Sequence, residues 1–175
     1  LCIVDTNLSK KVIEYIVTHN RDTDFFLDTV STAKAQKVKD IIGYFHTIKP
    51  NKIEAEMLSD MEINSYDDMK RVAELFISKG VKRVFITLGE NGVFYHDDEK
   101  TSHINSPKIK VINATGAGDA FTAGLAYCHL KNFDIDYTAS FAIGAAILAL
   151  SHEDTINPNM SIENINKKME EIGLC

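Results

Sequence analysis

Four short apolar runs, near residues 2–5, 24–28, 44–48 and 83–88, recur along the first half of the chain, and stretches with helical periodicity separate them near 8–18, 32–42, 53–59 and 66–79. Short, almost wholly apolar runs are what strands buried on both sides require, and a helix between consecutive strands makes them parallel. The alternation predicts an α/β fold, a mostly parallel sheet with helices on both faces. Val93-Phe94-Tyr95-His96, the polar turn Asp97-Asp98-Glu99-Lys100 and residues 101–105 read as a hairpin, which adds an antiparallel part at one end of the sheet. After it only helices are predicted, near 117–131, 136–150 and 161–172.

Several of these elements carry their own terminal signals. Ser65 and Asp68 have the spacing of a capping box, after which Met69, Val72, Ala73 and Phe76 fall on one face and Gly80 supplies a stop. Ser161 caps the last helix, with Ile162, Ile165, Met169 and Ile172 along its stripe and Gly173 beyond it.

Length and composition narrow the function classes. A chain of 175 residues, 45% hydrophobic, suffices for one well-buried domain or one large piece of one, and no linker, repeat or low-complexity tract divides it. It opens on Leu1-Cys2-Ile3-Val4-Asp5 without Met, a run that reads as a buried strand, so a fold incomplete at its N-terminus is expected. Net charge is −6 and Lys and Arg form no cluster, which gives a nucleic acid or an anionic membrane little to bind. Cys2, Cys128 and Cys175 are odd in number and lack Cys-x-x-Cys spacing, which fits a reducing cytoplasm better than a disulfide framework or a zinc knuckle. The six histidines show no His-Glu-x-x-His or other metal-ligand spacing. The run from Phe141 to Leu150 is shorter than the roughly 20 residues that cross a bilayer and reads as a core helix.

The chemistry concentrates in Asn113-Ala114-Thr115-Gly116-Ala117-Gly118-Asp119-Ala120-Phe121, where two glycines open a small-residue helix. Glycines there leave backbone N–H groups bare toward an anion, and the helix dipole favours negative charge at the same end. Asp119 is the informative exception, because a carboxylate beside an anion site repels the ligand unless it has work to do, such as taking a proton from a hydroxyl that attacks phosphorus. A dinucleotide fingerprint would need glycine where Phe121 stands, and no Gly-Lys-Ser/Thr phosphate loop occurs. Two further motifs precede it: Asn51-Lys52-Ile53-Glu54 at a helix start after Pro50, and Thr87-Leu88-Gly89-Glu90-Asn91-Gly92 at a strand end. By spacing alone, Asn51 and Glu54 are more commonly a capping box, and Gly89 and Gly92 a hairpin entry. All three motifs follow a predicted strand or open a helix, which predicts that they converge on one cleft at the carboxyl ends of the strands.

In this order the three motifs resemble those of the ribokinase-like, phosphofructokinase B-type carbohydrate kinases, over the later part of such a kinase and without its sugar-binding and lid-forming first part. The resemblance implies that residues 1–175 are the C-terminal nucleotide-binding and catalytic portion of a single ribokinase-like domain. It implies an ATP- and Mg²⁺-dependent transfer of the γ-phosphate to a sugar or nucleoside hydroxyl. Asp119 would be the catalytic base, with Gly116, Ala117 and Gly118 forming the anion hole. Asn51 would approach the ATP phosphates, Glu54 would hold Mg²⁺ through water, and Thr87, Gly89 and Gly92 would wall the nucleotide site. Asn113, Thr115 and Asn159 would contribute to a monovalent cation site such as one for K⁺, although Asn113 stands where the family more often has Asp. A homodimer formed through the absent lid is implied as well.

Three further runs, Asp5-Thr6-Asn7-Leu8-Ser9, Asp28-Thr29-Val30-Ser31-Thr32-Ala33-Lys34 and Thr155-Ile156-Asn157-Pro158-Asn159, look like the pseudouridine kinase branch of that family. Asp28 and Lys34 would then lie at the phosphate end of the cleft. The simpler reading of that run has Ser31 or Thr32 capping a helix and Lys34 solvated. Two alternatives stay open: a ribokinase or fructokinase, and a nucleotide-binding fragment without catalysis.

Overall fold

The apolar runs form a parallel sheet in the computed structural model, which describes residues 1–174. Two compact units can be distinguished: Leu1–Gly89 with Val93–His103, and Glu90–Gly92 with the chain from Ile104 onward. The first contains β1 (Cys2–Asp5), α1 (Lys10–His19), β2 (Phe25–Asp28), α2 (Thr32–Ala35), a 3-10 helix (Gln36–Tyr44), β3 (Thr47–Lys49), α3 (Lys52–Ser59), α4 (Tyr66–Ser78), β4 (Arg83–Thr87) and β5 (Val93–His96), with β6 (Thr101–Ile104) at its border. Strand order follows chain order. β1 to β4 are parallel, and β5 returns antiparallel on β4 with Thr87 opposite Val93; β6 neighbours β5 in the sheet, where the hairpin signal over 93–105 puts it.

Because each parallel strand lies beside its predecessor, right-handed crossovers bring the intervening helices to one face of the sheet. That face is a continuous core: Phe25, Leu27, Ile48, Val84 and Ile86 pack with Ile13 and Val17 of α1, Val38 and Ile42 of the 3-10 helix, Leu58 of α3, and Val72 and Phe76 of α4. Each such large side chain contributes about 1.5–3 kcal/mol by leaving water. Phe26 and Phe85 alternate to the opposite face and are buried as well, which is why these strands carry no polar side.

Two local expectations need correction. The helical pattern at 32–42 is one turn of α-helix followed by nine residues of 3-10 helix. Threefold winding eclipses side chains three apart, and this keeps Val38 and Ile41 both buried. The third strand begins at Thr47, not near 44, because the 3-10 helix continues through Tyr44. Its end abuts α4 so closely that a Cβ on Gly43 would stand 1.8 Å from the Lys79 carbonyl oxygen. At α4 the Ser65 hydroxyl accepts from the Asp68 amide as expected, but the Asp68 carboxylate accepts from the Asn64 amide where a full capping box would use that of Ser65.

The second unit is built on α5 (Ala117–Leu130), α6 (Ile135–Leu150) and α7 (Ile162–Glu171). α6 is buried nearly all round, and small residues bring α5 against it: a Cβ on Gly124 would lie 2.9 Å from the Ala142 Cα. Cys128, Phe141, Ala145, Leu148, Ile165 and Met169 form this core. In the α7 stripe Ile165 and Met169 are buried, whereas Ile162, in the first turn, is exposed. Cys2 and Cys128 form no disulfide among the described residues, and Cys175 lies outside them. Among the described residues, no helix is long and apolar enough to cross a membrane.

Candidate active site

At the carboxyl ends of the strands, the Asn-x-x-Glu spacing does form a capping box. Asn51 Oδ1 accepts from the Glu54 amide at 2.9 Å, and Glu54 Oε2 accepts from the Asn51 amide at 2.9 Å. Capping does not exhaust Glu54. The residue is only 4% exposed, and the Thr29 hydroxyl donates to the same Oε2 at 2.5 Å. Oε1 accepts no hydrogen bond from the described residues, yet it is not sealed from solvent. A carboxylate held by one oxygen with the other unbonded and in touch with solvent is chemically suited to a hydrated Mg²⁺, which keeps most of its waters and needs few protein ligands.

Thr87 ends β4 beside this box. Its amide donates to the Pro50 carbonyl at 3.0 Å, and a single parallel bridge joins it to Asn51, so Asn51, Glu54 and Thr87 are brought together. Gly89 follows with φ +61° and open space around it, since an added Cβ would meet nothing within 4 Å. Gly92 differs. At φ +90° a Cβ would fall 1.9 Å from the Ile104 carbonyl oxygen, so the chain itself requires glycine there.

Around this box the polar runs of the first unit interlock. Asp28 and Lys49 are register partners whose side chains pair at 3.0 Å, both largely buried. Lys34 is half-buried and its ammonium donates to Asn7 Oδ1 at 2.6 Å in an exposed bond, tying the run after β2 to the loop after β1. Ser31 occupies the N-cap of α2 without a capping hydrogen bond from its side chain. Lys49 and Thr29 were not legible as site residues. A lysine before Pro50 and a threonine at a strand end are ordinary in sequence, and only the fold shows that they are buried against Asp28 and Glu54.

In the second unit, Gly116 is the N-cap of α5 at φ +85°, and a Cβ there would stand 2.4 Å from the Thr155 carbonyl oxygen. Asn113 ties the same loop: Nδ2 donates to the Glu153 carbonyl at 2.7 Å, and Oδ1 accepts from the Thr115 amide at 2.9 Å. The Ala120 amide donates to the Gly116 carbonyl at 2.9 Å, whereas the amides of Ala117, Gly118 and Asp119 form no hydrogen bond with the described residues. Gly118 and Asp119 are exposed, so the amino end of α5 is a set of bare donors with a carboxylate in its first turn. Asn159 is exposed and accepts from Asn164 Nδ2 through its carbonyl at 2.7 Å. Sequence reasoning missed Asn157, which is buried and donates to the Leu148 carbonyl at 2.7 Å. It anchors the 155–159 loop on which Gly116 rests, and nothing in Asn157-Pro158-Asn159 distinguishes the buried asparagine from the exposed one.

Comparison with known proteins bears on both units. The model of the pfkB family of carbohydrate kinases matches residues 6–162. Pseudouridine kinase of Escherichia coli K12 is 38% identical over 169 residues, covering 96% of this chain and 54% of that protein. A solved protein of Clostridium perfringens is 38% identical with a TM-score of 0.93, over 97% of this chain and 54% of that one. Arabidopsis thaliana ribokinase, solved with ribose and ATP, is 20% identical with a TM-score of 0.84 over 96% of this chain and 55% of its own, a likeness that speaks for the fold alone. The chain thus spans about half the length of the relatives it matches. With nine-tenths of its residues inside the family match and the three motifs in family order, the chain belongs to the pfkB family of carbohydrate kinases.

Proposed function

We propose that residues 1–175 are the C-terminal nucleotide-binding and catalytic portion of a single ribokinase-like domain, in a kinase that transfers the γ-phosphate of ATP to a hydroxyl of pseudouridine. The observation that carries this reading is the amino end of α5: a left-handed Gly116, three amides without a protein partner and the exposed Asp119 carboxylate. Support for the acceptor comes from the 38% identity to pseudouridine kinase over nearly the whole chain.

In this mechanism Asp119 accepts the proton of the attacking hydroxyl, which makes the oxygen nucleophilic as its bond to phosphorus forms. The amides from Gly116 to Asp119 donate to the charge that grows on the moving phosphoryl group, and being fixed by the helix they need no reorganisation. Asn51, Thr87, Gly89 and Gly92 bind and orient the nucleotide, which supplies the in-line geometry on which phosphoryl transfer depends. Glu54 would hold Mg²⁺ through water, and when bound the ion neutralises phosphate charge. Asn113, Thr115 and Asn159 are assigned to a monovalent cation such as K⁺, and a cytoplasmic enzyme with a homodimer-forming lid completes the reading.

The test is a radiolabelled-ATP transfer assay on the full-length protein with pseudouridine, uridine, ribose and fructose as acceptors. The expected outcome is phosphorylation of pseudouridine with the highest kcat/KM. A preference for ribose or fructose would reassign the acceptor. Transfer to none of the four, with ATP still bound by calorimetry, would leave a nucleotide-binding module.

A further inference from the structure

We propose that Thr29 is a positioning residue for Glu54, holding its carboxylate so that Oε1 is the oxygen presented to a hydrated cation. This rests on the reading of Glu54 as the acid that holds Mg²⁺. The Thr29 side chain is wholly buried, and its single hydroxyl proton has two acceptors within reach, Glu54 Oε2 at 2.5 Å and the Lys49 carbonyl at 3.5 Å. The carboxylate oxygen is the nearer of the two, so the hydroxyl donates its hydrogen bond there. The Asn51 amide donates to the same oxygen at 2.9 Å. Both donors therefore sit on Oε2 and none on Oε1, and turning the carboxylate would break two bonds at once.

A capping glutamate alone needs only the backbone donor and usually stands in solvent. The burial and the second donor are what the capping role leaves unexplained. Thr29 is itself held unusually firmly. Its carbonyl accepts from the Thr6 hydroxyl at 2.6 Å and from the Ser31 amide at 2.6 Å, the latter closing a tight turn about Val30. Val30 has φ +57°, a conformation a β-branched side chain rarely adopts, and its amide donates to Asp28 Oδ1 at 3.0 Å. Backbone strain of this kind persists only where the surroundings over-determine it, and here the Thr29 carbonyl and the Val30 amide are both held.

The experiment measures Mn²⁺ binding by electron paramagnetic resonance to the full-length protein with a non-hydrolysable ATP analogue, for wild type, Thr29→Val, Thr29→Ser and Glu54→Gln. Removing the outer partner of a metal-holding carboxylate weakens metal binding by about tenfold or more. Thr29→Val is expected to show that loss while still folding cooperatively, with a melting temperature lowered by the lost buried bond and an unchanged metal-free affinity for the analogue, while Thr29→Ser, which keeps the donor, binds Mn²⁺ nearly as wild type does. Should Thr29→Val not fold, Thr29→Ala is read in its place. Wild-type Mn²⁺ affinity in the valine variant alongside a loss in Glu54→Gln would overturn the positioning role alone. Wild-type affinity in both would overturn the reading of Glu54 and this inference with it.

Discussion

Gly116 is constrained twice over, by a left-handed φ of +85° and by the Thr155 carbonyl that would stand 2.4 Å from any Cβ. Gly116→Ala is therefore expected to destabilise the fold by about 1–3 kcal/mol, the usual scale of a strained backbone position. Urea unfolding would show it as a lower midpoint at constant slope, and an unchanged midpoint would mean that the loop relaxes without cost. The glycine was legible in the sequence because a turn into a helix that points bare amides outward demands one. Its support was not. Asn113 and Asn157 hold the loop through the carbonyls of Glu153 and Leu148, and bonds between residues nine or forty apart leave no local signature.

Among the elements, α4 shows how completely a helix start can be written in sequence and where it still departs. The Asn64 amide, then the Ser65 hydroxyl, and finally Arg71 hold the Asp68 carboxyl below the usual carboxylate range. A carboxyl whose folded value is depressed stabilises the fold above its unfolded value, about 4, and that contribution disappears as pH falls through the lower folded value. Asp68→Asn should accordingly lower the melting temperature at pH 7, with a gap to wild type that closes as the solution is acidified through the depressed folded value. A gap independent of pH would assign the effect to helix propensity. Strands and caps were readable because apolar runs and Ser-x-x-Asp spacing are local. The 3-10 helix at Gln36–Tyr44 was not, because an α-helical and a 3-10 pattern share the i, i+3 spacing of Val38 and Ile41. The late start of β3 follows from the same cause, as the winding continues through Tyr44.

For the whole molecule, α/β class, strand succession and family were legible, since each rests on patterns repeated along the chain. The proposed chemistry divides between two compact units, with Asn51, Glu54, Thr87 and Gly89 in one and Gly116 to Asp119 in the other. Asp119→Asn in the full-length protein is the most direct test of the central claim that the acid at the start of α5 is the base of a phosphotransferase. Its measurement is kcat for phosphorylation of the acceptor alongside the dissociation constant for ATP. The account predicts that kcat falls by about 10²–10⁴-fold, the range of general base catalysis, while ATP affinity stays within a few-fold of wild type. Near-normal turnover in that variant would contradict it.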